Sequence, residues 1–248
     1  MTRRGRPATR EWSRAAPVAL ITGAGRGIGR ATAEAFAAAG YAVILAELLP
    51  GLGRAAERAL VSTGASALFL RTDVANASSV ERTVRATLSR FRRLDCLVNN
   101  AGVLRAGPLA ELAIRDVDRM LAVNLRGPLL LTRAVLPTMV RQRSGSIITV
   151  ASQLGKFGLG EYATYCASKF GVVGFTEALA EELVGTGVRV WAVCPGLVDT
   201  HMARHAVGVS PRERRGLLKP ETIARVILSL AAGRRREASG AAVDVIHG

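Results

Sequence analysis

The chain has 248 residues, 49% hydrophobic and 21% charged, a balance that suits one soluble domain with a large core. No apolar stretch approaches the roughly 20 residues that span a bilayer, since the longest candidate, Pro128 to Val140, is broken by Arg133 and Pro137. The net charge of +15 comes almost wholly from dispersed arginine, with lysine only at 156, 169 and 219, which argues against nucleic acid as the primary partner. Residues 1–16 carry Arg3, Arg4, Arg6, Arg10 and Arg14 without the apolar core of a secretory signal, and read as a basic, disordered arm. The remainder, 17–248, reads as one domain.

Apolar strand-like runs then alternate with helical patterns. Pro17 to Thr22 reads as a strand and Ile28 to Gly40 as a helix closed by glycine. Strand Tyr41–Ala46, helix Gly51–Thr63, strand Ala67–Leu70, helix Ser78–Phe91 and strand Leu94–Val98 follow. One long helical stretch is expected from about Asp116 to Arg141. After it come strand Ser146–Val150, helix Tyr162–Val184, strand Val188–Val193, helix Glu221–Ala231 and strand Ala242–Ile246. Alternating β and α with near-continuous apolar strands predicts an α/β, Rossmann-like doubly wound domain: about seven parallel strands with helices on both faces.

Thr22-Gly23-Ala24-Gly25-Arg26-Gly27-Ile28-Gly29 lies between the first strand and the first helix. Glycines there let the backbone turn sharply and approach a pyrophosphate at a helix N-terminus. Glu47 ends the second strand, eighteen residues after Gly29. An acid in that place bonds the adenosine ribose hydroxyls and repels a 2′-phosphate, which favours NAD over NADP; Arg26 pulls mildly the other way. A solvated strand-end charge is the plain alternative for Glu47.

Tyr165 and Lys169 stand four apart on a predicted helix, and Ser152 precedes that tyrosine by thirteen residues at the end of a strand. Residues four apart share a helix face. A cation beside a phenol favours phenolate and brings its pKa down from about 10, which makes a general acid/base. Tyr162, on the same helix, misses this spacing and reads as pocket wall or subunit contact. His201 and His205 stand at i, i+4 without a third ligand, so no metal site is expected and the pair reads as loop surface. Cys96, Cys166 and Cys194 have no metal or redox spacing; Cys96 and Cys194 fall in apolar strand-like runs and are expected to be buried thiols, in a reduced, cytoplasmic setting.

Together these residues resemble a short-chain dehydrogenase/reductase, over roughly 17–248. Thr22 to Gly29 matches the family's glycine motif and Asn99-Asn100-Ala101-Gly102 its segment after the fourth strand. Asn124, Ser152, Tyr165 and Lys169 match its catalytic tetrad, and Pro195-Gly196 with Val198 and Thr200 its nicotinamide segment. The resemblance implies adenine contacts from Asp73 and Val74, and cofactor contacts from Gly23, Arg26, Gly27, Ile28, Gly29, Asn100, Ala101 and Gly102. It implies that Tyr165 exchanges the proton, that Lys169 lowers its pKa and grips the nicotinamide ribose, that Ser152 polarises the substrate oxygen, and that Asn124 holds a water leading from Lys169 to solvent. It implies a homodimer or homotetramer, built on the helices near 116–141 and 162–184.

The expected activity is hydride transfer between a nicotinamide cofactor and a small secondary alcohol or ketone, 3-oxoacyl compounds included. Loops 103–107, 153–160 and 197–218 are expected to set specificity; the last carries the basic run Arg212 to Arg215, which reads either as a match for an anionic substrate or as solvated arginines of a composition-biased chain. A catalytically silent dinucleotide-binding protein is the alternative from another class. The tail Val243-Asp244-Val245-Ile246-His247-Gly248 departs from the family's usual Asp-Gly ending.

Overall fold

The computed structural model describes residues 16–210 and 216–246. The basic arm up to residue 15 and the run Arg212 to Arg215 lie outside them. Seven strands, β1 (Val18–Thr22), β2 (Ala42–Glu47), β3 (Ala67–Arg71), β4 (Cys96–Asn99), β5 (Gly145–Val150), β6 (Val188–Pro195) and β7 (Ala242–Val245), form one sheet in the order β3-β2-β1-β4-β5-β6-β7. Every pairing is parallel. The helices are α1 (Gly27–Ala38), α2 (Pro50–Ser62), α3 (Ala77–Phe91), α4 (Ile114–Leu121), α5 (Gly127–Gln142), α6 (Ala163–Glu182) and α7 (Pro220–Ala231).

The central strands β1, β4 and β5 are buried along their whole length because both sheet faces are covered. Along β1, Ala19 and Ile21 enter a core with Phe36 of α1, Leu60 of α2 and Ile223 and Ile227 of α7. Val18 and Leu20 enter the opposite core, with Val84 of α3, Leu131 and Val135 of α5 and Leu179 of α6. Successive strand side chains point to opposite faces, so one five-residue run feeds two cores. Each of the larger ones, Val18, Leu20 and Ile21, is worth about 1.5–3 kcal/mol fully buried.

The strand order reverses between β1 and β4, since β2 and β3 build outward on one side and β5 to β7 on the other. A crevice opens above the strand ends at such a reversal. The glycine turn leaves β1 there, and Asn99 to Gly102 leaves β4 there.

The helix expected from 116 to 141 is two helices joined by a π-turn, Ala122–Arg126, in which the Gly127 N–H reaches back to the Ala122 carbonyl. The wider turn carries Asn124 inward, to 1% exposure. Pro128 at the start of α5 is the sequence mark of the new helix. His201 and His205 also depart from the expected loop. They lie on a helical turn, rings stacked at 3.9 Å between centroids, with His205 Nδ1 2.9 Å from the His201 carbonyl. Cys96 and Cys194 are free and buried, as expected, and Cys166 on α6 is free and buried as well.

Candidate active site

The glycine turn is shaped from across the sheet. The Thr22 hydroxyl accepts from the backbone N–H groups of Asn100 and Ala101, each at 2.9 Å. The Asn100 amide donates to the Thr22 and Gly23 carbonyls at 2.8 and 3.3 Å. Gly23 and Gly27 take positive φ, which L side chains rarely adopt. At Gly29 a Cβ would lie 2.2 Å from the Gly23 oxygen and 2.4 Å from Asn100 Nδ2. Helix α1 then begins at Gly27 with no side-chain cap and no acid in its first turn. The N–H groups of that turn need an acceptor, and the dipole favours an anion. The residues present therefore fit the pyrophosphate of a dinucleotide.

Glu47 is buried, not a solvated charge. Its carboxylate accepts from the Gly25 N–H and the Leu49 N–H, both at 3.0 Å, and so ties the end of β2 to the turn. Asp73 Oδ1 accepts from Ala75 N–H at 3.0 Å, and Asp73 lines a cleft of about 290 Å³ with Leu48 and Arg71. Val74 packs against Gly127.

On the other side of the crevice, Gly196 donates to the Val245 carbonyl at 3.0 Å, directly after Pro195 ends β6. Val198 pairs with Leu218, which pins together the two ends of the segment between them. The Thr200 hydroxyl accepts from Ala203 N–H at 3.2 Å, and its methyl group faces Gly27. The first residues of this segment thus lie against the glycine turn through Thr200. A second cleft, of about 310 Å³, lies where it meets α1, lined by Arg26, Gly27, Thr200, His201 and Arg204.

Ser152, Tyr165 and Lys169 come together beside the end of β5. Burial pushes the Tyr165 phenol up to about 12, while hydrogen bonding to Ser152 pulls it partly back. This corrects the expected direction. A helix spacing of four puts Lys169 on the same face, yet its Nζ donates to the Val150 carbonyl at 2.8 Å and lies 5.7 Å from the phenol ring centre. Lys169 is itself buried, and desolvation lowers it to about 8. In this environment the neutral phenol is favoured, because burial penalises charge on either group.

Asn124 sits within reach of this group through Ser168. Its Oδ1 accepts from Val103 N–H at 2.8 Å, and its Nδ2 donates to the Val103 carbonyl at 2.8 Å and to the Ser168 hydroxyl at 3.3 Å. Ser168 donates in turn to the Tyr165 carbonyl at 2.7 Å. The Asn124 side chain therefore fixes the loop after β4 against α6. Sequence reasoning passed over Ser168, whose one signal is a hydroxyl three residues after Tyr165. Tyr162 caps the start of α6, where its carbonyl accepts from Cys166 N–H at 2.8 Å.

A doubly wound sheet with a glycine turn at its switch point and a Ser/Tyr/Lys cluster beside it defines a dinucleotide-dependent oxidoreductase. The sequence pattern of the short chain dehydrogenases matches residues 17–208. A 3-oxoacyl-(acyl-carrier-protein) reductase of Synechocystis is 40% identical, over 87% of this chain and 89% of its own. A reductase of the same description from Escherichia coli is 37% identical, over 81% and 80%. The crystal structure of a 3-ketoacyl-(acyl-carrier-protein) reductase from Brucella melitensis complexed with NADH superposes with a TM-score of 0.86 at 31% identity, covering 95% of this chain and 99% of that one. The chain belongs to the short-chain dehydrogenase/reductase family. Among the described residues no helix is long and apolar enough to cross a membrane.

Proposed function

We propose that the protein reduces the ketone of a 3-oxoacyl thioester, or a ketone of similar size, to a secondary alcohol, with Tyr165 as general acid and NADH as the favoured reductant. The convergence of Ser152 and Tyr165, both half-buried, with the buried Lys169 in one cluster carries this reading. The relatives described as 3-oxoacyl reductases support the substrate class.

When bound, the nicotinamide supplies the hydride. The chain's own residues do the remainder. Ser152 donates a hydrogen bond to the ketone oxygen and polarises it. Tyr165, kept neutral by burial up to about 12, holds the proton that this oxygen needs as negative charge builds on it. Lys169 bonds the nicotinamide ribose and, with its pKa lowered to about 8, can exchange a proton near neutral pH. Asn124 secures the loop that borders the ketone, through Val103.

Glu47 supports NADH over NADPH, because its buried carboxylate at the end of β2 would repel a 2′-phosphate. The free thiols support a reducing, cytoplasmic setting. Half-exposed apolar side chains on neighbouring helices, Leu121, Leu129 and Phe170 at 36%, 37% and 45%, support a homodimer or homotetramer.

The test is absorbance loss of NADH or NADPH with acetoacetyl-CoA and a panel of ketones. Oxidation of NADH with a lower KM than NADPH is expected. Tight cofactor binding without turnover on the whole panel would move the protein to the class of silent dinucleotide binders.

A further inference from the structure

Ser152 stands at the mouth of a short turn, and that turn is held from outside the cluster. Ala151 N–H bonds the Val193 carbonyl at 2.7 Å, the last contact with the sheet before the chain leaves it. Residues Gln153–Gly155 then form one 3₁₀ turn, closed by Gly155 N–H on the Ser152 carbonyl at 2.9 Å. The Ser152 hydroxyl accepts from Leu154 N–H within the same turn, at 3.1 Å. The shape of the turn therefore fixes where the Ser152 oxygen sits.

Two side chains flank the turn, and both reach the same atom. Gln153 Nε2 donates to the Cys194 carbonyl at 3.1 Å and to Asp244 Oδ1 at 2.7 Å. Lys156 Nζ donates to the Ala242 carbonyl at 2.9 Å and to the same Asp244 Oδ1 at 2.7 Å. One carboxylate oxygen of the last strand thus staples both ends of the turn to β6 and β7. On the opposite side the turn leans on α6, where a Cβ on Gly155 would lie 2.8 Å from the Lys169 carbonyl oxygen.

The Lys156–Asp244 pair is open to solvent, with side chains 31% and 47% exposed. Exposed pairs of this kind contribute little to stability. Their geometric effect differs, because both ends of the turn lose their shared acceptor at once when Asp244 is removed, and each is left with a single backbone carbonyl, Cys194 for Gln153 and Ala242 for Lys156.

We propose that Asp244 is a positioning residue for Ser152, acting through Gln153 and Lys156 to hold the hydroxyl where it meets the substrate oxygen. The proposal rests on the reading that Ser152 binds that oxygen.

The experiment compares Asp244→Ala, Asp244→Asn, Ser152→Ala and the double variant Ser152→Ala/Asp244→Ala. Turnover is measured with saturating cofactor on acetoacetyl-CoA, or on whichever panel ketone the wild-type enzyme reduces best, and cofactor affinity by fluorescence. Asp244→Ala is expected to lower kcat about tenfold, since misplacing a reacting group by an ångström costs up to about a hundredfold. Its cofactor affinity should equal the wild type's. Asp244→Asn should recover most of the loss, because an amide oxygen still accepts from both partners. On the Ser152→Ala background, assayed at high enzyme concentration, Asp244→Ala should cost less than about twofold more, as coupled residues are not additive.

Wild-type kcat in Asp244→Ala, an undiminished loss on the Ser152→Ala background, or a matching fall in cofactor affinity would each overturn the proposal. Should Asp244→Ala fail to fold, Lys156→Met removes one of the two anchors; a lower kcat with unchanged cofactor affinity supports the proposal, and unchanged kcat overturns it. Wild-type turnover in Ser152→Ala, or no turnover by the wild type on any ketone, instead sinks the reading of Ser152 and takes the proposal with it.

Discussion

The Lys169 ammonium nitrogen lies 2.8 Å from the carbonyl oxygen of Val150, two residues before Ser152 on the same chain segment. A buried cation is thus tied to the strand that delivers the serine. This pairing explains why the phenol of Tyr165 is not drawn down by its helix neighbour: the lysine is itself short of solvation, and its hydrogen bond goes elsewhere.

A pH dependence of stability follows. Below about 8, Lys169 is charged in both folded and unfolded chains, and the cost of burying that charge is fully present. Between about 8 and the ordinary 10.5, the folded chain has released the proton and the unfolded chain has not, so this group makes stability rise with pH. Tyr165 acts in the opposite sense, but only from 10 up to about 12. Urea unfolding at pH 7.5 and 9.5 should show that wild type gains stability relative to Lys169→Met. Parallel curves for the two proteins would mean the ammonium is not buried.

Tyr165→Phe removes the proton but keeps the ring that fills the site. Ketone reduction should fall by two orders of magnitude or more, in line with the 10²–10⁴ range of general acid catalysis, with cofactor affinity within about twofold. Turnover comparable to wild type would transfer the role to another group.

Asn124→Ala leaves both backbone groups of Val103 without their 2.8 Å partners. An unsatisfied group costs about 1–3 kcal/mol when fully buried, and less for a half-buried one such as Val103. A lower thermal midpoint is expected, together with a raised KM for the ketone, because the loop 103–107 borders the crevice. A raised KM for the cofactor alone would place the effect elsewhere.

Gly29→Ala puts a methyl group 2.2 Å from the Gly23 carbonyl, so α1 must move away from the turn. A stability loss of about 1–3 kcal/mol is expected, with cofactor affinity weakened at least tenfold. Gly51→Ala is the control, since a Cβ there meets nothing within 4 Å. Equal behaviour of the two variants in a binding titration would refute the close approach.

The seven strands and their parallel arrangement were legible because most strand positions on both faces are apolar, as along β1. The break at Ala122–Arg126 left only one mark, Pro128, because the chain stays helical through the π-turn with no loop or strand between α4 and α5. In the site, spacing placed Tyr165 and Lys169 on one face, but could not show that Lys169 bonds a carbonyl nineteen residues earlier. Glu47 was legible as a strand-end acid; its two backbone partners depend on how the glycine turn folds back over β2. The stacking of His201 on His205 depends on a helical turn whose one sequence mark is Thr200, with its hydroxyl on the Ala203 N–H, a threonine read from the sequence only as a cofactor contact.

The bonds between Thr22 and Asn100 join residues 78 apart in the chain. The glycine turn cannot take its final form until β4 has docked beside β1, after two intervening strands and three helices have been made. Long-range pairing of this kind is the slow part of folding. During synthesis the emerging N-terminal portion therefore has no competent phosphate cradle of its own, and affinity for the dinucleotide is acquired late, as a property of the assembled sheet.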